Sequence, residues 1–169
     1  MKKNGFTLLE MMIVITILAL IAVVGSGSFF SILRGSTKTK NLSLVKQNGD
    51  YALSVMERMI RNARSLKAPT TSGPTDSILI VNPDGGETLF KCDSTTDPPT
   101  ISSGSASLIS NEVKVSSDCN TFFNVVLGRK ELESTRIDIS FTLVPNKEIE
   151  RPEEKAEINF KTSVTMRNY

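Results

Sequence analysis

Histidine carries much of the acid–base and metal chemistry that proteins perform near neutral pH, and this chain of 169 residues has none. The commonest general base and the commonest metal ligand are therefore missing. No serine or cysteine has an imidazole to activate it, and no glycine-rich phosphate loop follows a predicted strand. The two cysteines, Cys92 and Cys119, are too few for a zinc site, which normally takes four ligands. In an extracytoplasmic domain they read as a disulfide, worth about 3–4 kcal/mol through its constraint on the unfolded chain. In a reducing compartment they would be two buried thiols. Asn82, Asp84 and Glu87 flank Gly85-Gly86 with oxygen ligands suited to calcium, but their spacing departs from the EF-hand pattern, and a hairpin turn is expected there. Glu148, Glu150, Glu153 and Glu154 are mixed with Lys147, Arg151 and Lys155, the pattern of a solvated loop. The expectation is no catalytic residue, no metal and no cofactor.

One carboxylate is out of place. Glu10 stands among Leu8, Leu9, Met11 and Met12, at the start of a stretch that has no charged side chain from Met11 to Leu33. About 20 apolar residues cross a bilayer core, so this stretch predicts a spanning helix. A carboxylate inside such a helix costs roughly 2.5–3.5 kcal/mol even on the lenient insertion scale, which calls for a partner. Lys2 and Lys3 precede the stretch and favour a cytoplasmic N-terminus. Arg34, Lys38 and Lys40 follow it and weaken that bias. Gly5 lies between the basic leader and the apolar run, and a cut after it would place a new amino group on Phe6, four residues from Glu10. An ordinary secretory signal is the competing reading, with Met11 to Val24 as its apolar core and a cleavage site among Gly25, Ser26, Gly27 and Ser28. Glu10 interrupts that core.

The run Lys3-Asn4-Gly5-Phe6-Thr7-Leu8-Leu9-Glu10 resembles the type IV prepilin signal. The resemblance covers about the first thirty residues, and it implies a pilin-like or pseudopilin-like protein. Cleavage by a prepilin peptidase would fall between Gly5 and Phe6, with N-methylation of Phe6. Glu10 would take the place of the family's glutamate, paired with the terminal amine of a neighbouring subunit. The implied partners are the prepilin peptidase, other pilin or pseudopilin subunits, an inner-membrane assembly platform and membrane lipid. The implied location is a single pass through the bacterial inner membrane with the head outside the cytoplasm, followed by incorporation in a pilus or pseudopilus. The segment Met56 to Ala63 and the ending Phe160 to Asn168 are also similar to J-type minor pseudopilins.

Beyond Gly35 an amphipathic pattern appears. Leu42, Val45, Ala52, Val55, Met56, Met59, Ile60, Ala63 and Leu66 recur at steps of three and four, while Lys46, Glu57, Arg58, Arg61 and Arg64 occupy the other face. Such a stripe buries against a sheet. The pattern lapses at Gln47 to Asp50, where Asn48 and Gly49 mark a kink, and Ala68-Pro69 marks its end. Gly25 and Gly27 offer a place for the first half to unwind. A single helix from Phe6 to Leu66 would be about 90 Å long.

The remainder predicts strands. Ser77 to Val81 and Thr88 to Lys91 form a hairpin about Pro83-Asp84-Gly85-Gly86. Glu112 to Val115 and Phe122 to Leu127 are short strands. Arg136 to Val144 and Ala156 to Met166 alternate apolar and polar residues, as paired half-buried strands do. Thr70 to Thr75 reads as a turn-rich break and Asp93 to Ser107 as a loop. The predicted class is α+β, with a long N-terminal helix packed on a C-terminal antiparallel β-sheet. The chain divides into a leader at 1–5, a transmembrane or filament-core helix at 6–33, an amphipathic helix at 34–68 and a β-rich head at 69–169.

A net charge of +2, without a basic run and with 6% aromatic residues, gives no footprint for nucleic acid. The expected function is structural: a subunit, minor rather than major, of a type IV pilus or type II secretion pseudopilus. The alternative is a β-rich binding module, tethered or secreted, that does not polymerise.

Overall fold

The computed structural model describes residues 5, 7–128, 134–147 and 155–167. Its first element, α1 (Leu8–Asn62), is one unbroken α-helix of 55 residues, about 80 Å long at 1.5 Å per residue. It runs straight through Gly25 and Gly27, where Ser26 Oγ donates to the Ala22 carbonyl at 2.7 Å and Ser28 Oγ to Val24 at 3.3 Å. Every large apolar side chain from Leu8 to Leu33 is exposed. The first helix residue to pack against the core is Leu42. From there the predicted stripe is buried: Val45, Ala52, Met56 and Ile60 are fully inaccessible.

The helix is continuous through the lapse at Gln47 to Asp50. Gly49 is buried, and a Cβ built there would overlap the ring of Phe160. Glycine is needed because an aromatic ring lies directly on the helix backbone. Asn48 is equally specific, since its side-chain carbonyl accepts from Ser110 N at 2.8 Å while its amide donates to the Leu44 carbonyl at 2.9 Å.

The helix stops at Asn62, short of the expected Leu66. Ala63 takes an extended backbone (ψ 143°), and Arg64 N donates to the Val81 carbonyl at 2.8 Å. The chain then enters β1 (Ser65–Ala68), which pairs with β3 (Ser77–Val81). Leu66 still packs on the core, though from a strand. Pairing with β3 satisfies the backbone here as well as another helical turn would, so an apolar residue in phase with the stripe does not fix the element.

The strands divide into two antiparallel sheets. The first has the order β1, β3, β4 (Glu87–Asp93), β5 (Thr100–Ser103) and β6 (Ala106–Ser107). The second has the order β10 (Ile158–Thr165), β9 (Arg136–Pro145), β8 (Phe123–Val126) and β2 (Gly73–Thr75). The short strand β7 (Val113–Val115) pairs with the far end of β9. The expected loop at 93–107 therefore holds β5 and β6, turning at Gly104 with φ 61°. Ile101 alone supplies their buried apolar side chain, while Ser and Thr fill the rest, so the apolar signal is sparse. The expected break at 70–75 holds β2 in the same way. The period-two reading of the late strands is met: Ile137, Ile139, Phe141 and Leu143 are buried, and Phe160 pairs with Phe141 in register.

The helix lies across β9 and β10 and reaches β7. Phe122, Phe141 and Phe160 stack in sequence, with centroids 5.0 and 5.2 Å apart. Stacked aromatic contacts of this kind add to area burial. Thr162, on β10, hydrogen-bonds Glu57 of the helix. The second half of α1 is thereby an integral part of the head.

Candidate functional site: the helix N-terminus

The residues singled out for processing and assembly lie at the free end of α1. Gly5 is exposed; Phe6 lies outside the described residues. Thr7 is the helix N-cap, with an extended backbone (φ −80°, ψ 153°). Its Oγ1 accepts from Glu10 N at 3.2 Å, and its own N–H donates to Glu10 Oε2 at 3.5 Å. The two residues form a reciprocal capping box, which satisfies two of the four backbone donors that a helix start leaves open.

The physical effect is twofold. A capping residue of this kind stabilises a helix start by about 1 kcal/mol, and the helix dipole favours the carboxylate in its first turn. Glu10 lies in the first turn of α1, so the cost of a charge at a bilayer centre, roughly 2.5–3.5 kcal/mol, is an upper bound for it. Sequence reasoning found Glu10 and missed Thr7, although Thr7-x-x-Glu10 before an apolar run is itself the capping-box signature.

The helix that carries these residues is long and apolar enough to cross a membrane. The matching signal is equally local. The family model for the prokaryotic N-terminal methylation motif matches residues 1–26. The chain carries a prepilin-type signal. The matched stretch includes Gly5, Phe6 and Glu10 and ends within α1, well before the first contact with the head. No curated protein and no solved structure matches the chain. The prepilin-type signal supports a pilin-like or pseudopilin-like protein, and it implies processing by a prepilin peptidase and assembly with other pilins.

The remaining candidates fall elsewhere. Cys92 on β4 and Cys119 in a short 3-10 turn (Cys119–Thr121) are bonded, with Cα atoms 5.4 Å apart. The bond joins the first sheet to the turn that leads into β8 of the second. Asn82, Asp84 and Glu87 form the β3–β4 turn. Asn82 donates to Thr88 Oγ1 at 2.9 Å, Asp84 Oδ1 accepts from Gly86 N at 2.9 Å, and Glu87 pairs with Lys67 at 2.5 Å. The Asn82 amide nitrogen and the Asp84 and Glu87 carboxylates thus have local partners, and among the described residues no group of three His, Cys, Asp or Glu is placed to hold a metal ion. Of the charged connection, Lys147 and Lys155 are described; Glu148, Glu150, Arg151, Glu153 and Glu154 lie outside the described residues.

One carboxylate in the head is electrostatically distinct. Asp93, at the end of β4, is held at about pKa 2, below its usual 3.8. The Thr95 hydroxyl at 2.6 Å is the main cause, followed by the Thr95 amide at 3.0 Å and then the Lys91 ammonium at 3.2 Å. All three favour the ionised form. Asp93 thus caps the loop that follows β4.

Proposed function

We propose that the chain is a structural subunit of a type IV pilus or type II secretion pseudopilus. A prepilin peptidase cuts it between Gly5 and Phe6 and methylates Phe6, and residues 6–33 anchor it in the inner membrane with the head outside the cytoplasm. An assembly platform then draws the subunit from the bilayer. Glu10 pairs with the terminal amine of a neighbour as the helices pack in the filament core. The likeness of Met56 to Ala63 and of the ending Phe160 to Asn168 to J-type subunits favours a minor position.

The observation that supports this most is the placement of the signal. A motif for cleavage and methylation sits at the free end of a helix whose exposed apolar half is continuous with the head. An apolar surface of that extent needs lipid or neighbouring helices to cover it. A buried carboxylate left without its cation is strongly disfavoured. Glu10→Ala is therefore expected to leave cleavage intact and to reduce incorporation into sheared filaments at least tenfold, measured by immunoblot in a strain carrying the assembly machine. Normal incorporation of the variant would remove Glu10 from the assembly role.

A further inference from the structure

We infer that the exposed face of the last turns of α1 is a docking surface for the acidic end of the head of a second copy of this chain. The function proposed above uses the free end of α1. This contact lies at the other end, and it stands or falls independently of processing at Gly5.

The face is built from side chains suited to recognition. Tyr51, Ser54, Arg58 and Arg61 follow at steps of three and four, so they share one side of the helix. All four are exposed, Tyr51 at 58%. Tyrosine and arginine are enriched at the residues that dominate interface energetics. Two hollows meet on this side. One, of about 330 Å³, lies between Arg58, Asn62 and the β3–β4 turn at Pro83 and Asp84. The other, of about 300 Å³, lies between Ser54, Arg58 and Arg61. The guanidinium groups of Arg58, Arg61 and, just beyond the helix, Arg64 have no ion-pair partner among the described residues. The nearby carboxylates are engaged elsewhere: Glu57 accepts from Thr162 and Asp84 from Gly86 N. The helix dipole accounts for a cation in the last turn, which is Arg61. It does not account for Arg58, a turn earlier, or for Arg64, past the end.

The complementary charges are on the same head, but out of reach. β3 and β4 run antiparallel, with Val81 against Glu87 at one end and Ser77 against Lys91 at the other. The arginines stand at the first end, where Arg64 N donates to the Val81 carbonyl. The second end carries four aspartates. Asp93 follows Cys92 and Asp118 precedes Cys119, so the disulfide draws them together. The Asp76 carbonyl accepts from Cys92 N at 2.9 Å. Asp97 closes a loop in which Thr96 Oγ1 donates to the Asp93 carbonyl at 3.1 Å. Asp93 pairs with Lys91, while Asp76, Asp97 and Asp118 have no ion-pair partner among the described residues. The seven residues of β4 put roughly 20 Å between the two ends, so a second copy must supply the aspartates that the arginines lack. Such an end-to-end contact is heterologous, and each copy keeps a free end for the next. Arginine and carboxylate pair through two parallel hydrogen bonds. Charges arranged this way set orientation and partner choice more than affinity.

The test uses the full chain in a non-ionic detergent, as an equal mixture of 14N- and 15N-labelled copies. Arg61→Lys supplies an amine for zero-length carbodiimide coupling. Coupled peptides that join position 61 of one isotope to Asp97 or Asp118 of the other are expected, and about 0.5 M salt is expected to reduce them at least threefold. Sedimentation then compares two charge reversals. Arg58→Glu/Arg61→Glu and Asp97→Lys/Asp118→Lys are each expected to weaken self-association at least tenfold. Their equimolar mixture is expected to regain it to within about threefold, because each variant then offers the end that the other lacks. Asp118 also caps the short 3-10 turn, so Asp97→Lys alone serves as the acidic-end variant if the double variant lowers the urea midpoint of the head. Coupling confined to one isotope, coupling from position 61 to Glu112 or Glu157 instead, or a mixture no better than its components would overturn the inference. So would coupling of position 61, in intact cells, to another protein in place of a second copy. Neither arm uses the peptidase or an assembly machine, so the outcome is separate from that of the filament reading.

Discussion

From Leu8 to Leu33, α1 exposes every large apolar side chain it carries; from Val45 to Ile60 it hides Val45, Ala52, Met56 and Ile60 completely. The backbone is the same in both halves, but it is sustained differently. The second half is held by packing, as helices of soluble proteins generally are. Among the described residues, no apolar side chain of the first half is buried or packs on the core. Its side chains suit a medium in which a helix must satisfy its own backbone hydrogen bonds because no water is available. Residues 42–62 of α1 thus pack with the head, while the apolar side chains of residues 8–33 stand exposed.

This contrast can be broken most directly by removing side chains from each half. Phe141→Ala deletes the middle ring of the aromatic stack and is expected to destabilise the head by about 3–5 kcal/mol. Ile17→Ala removes an exposed apolar side chain and is expected to change head stability by less than about 0.5 kcal/mol. Urea unfolding of the full chain in detergent, followed through head signals, measures both. A comparable loss from Ile17→Ala would mean that the two halves are not energetically separate.

The next effect in size concerns the bond between the sheets. The Cys92–Cys119 link spans 27 residues, and its removal is expected to cost about 3–4 kcal/mol in the chain-entropy picture. The double variant Cys92→Ser/Cys119→Ser should unfold at correspondingly lower urea, and reductant should shift the unaltered protein and not the variant. Lack of any shift would show that the two sheets hold together without the bond.

A single substitution type sharpens the comparison further. Gly49→Ala places a methyl group against the Phe160 ring and is expected to destabilise the head by about 1–3 kcal/mol. Gly25→Ala meets open space and is expected to leave the head unchanged while strengthening the helix by up to about 1 kcal/mol. Thermal unfolding and backbone hydrogen exchange separate the two outcomes. Equal effects would contradict the close approach at Gly49.

The smallest effect is acid-dependent. Asp93 has a lowered folded-state pKa, so its contribution is complete above the unfolded value of 3.8 and is lost as pH falls through about 2. The group is well solvated, so the slope is expected to be shallow. Asp93→Asn should flatten the stability profile between about pH 4 and 2 relative to the unaltered chain. An unchanged slope would remove the Thr95 and Lys91 contacts as its cause.

Much of this was legible in the sequence, for identifiable reasons. Glu10 was conspicuous because a charge in an apolar run has few innocent explanations. The strands β9 and β10 declared themselves by strict alternation over many residues. The end of α1 did not, because Leu66 is in phase with the helical stripe and also packs from a strand. β5 and β6 were hidden because Ser and Thr make up most of their residues and Ile101 alone reaches the core. The closeness of Gly49 to Phe160 joins residues far apart in the chain, and no local pattern reports it. The division into two sheets is likewise a property of strand order, which local periodicity does not encode.

The most direct measurement is the N-terminus of the chain, expressed with and without a prepilin peptidase and read by intact mass and peptide sequencing. A new terminus at Phe6, N-methylated and present only with the peptidase, is the expected result. A terminus among Gly25 to Ser28 in both samples, or an uncut chain in both, would contradict the assignment of α1 as the assembly element of a processed pilin-like subunit.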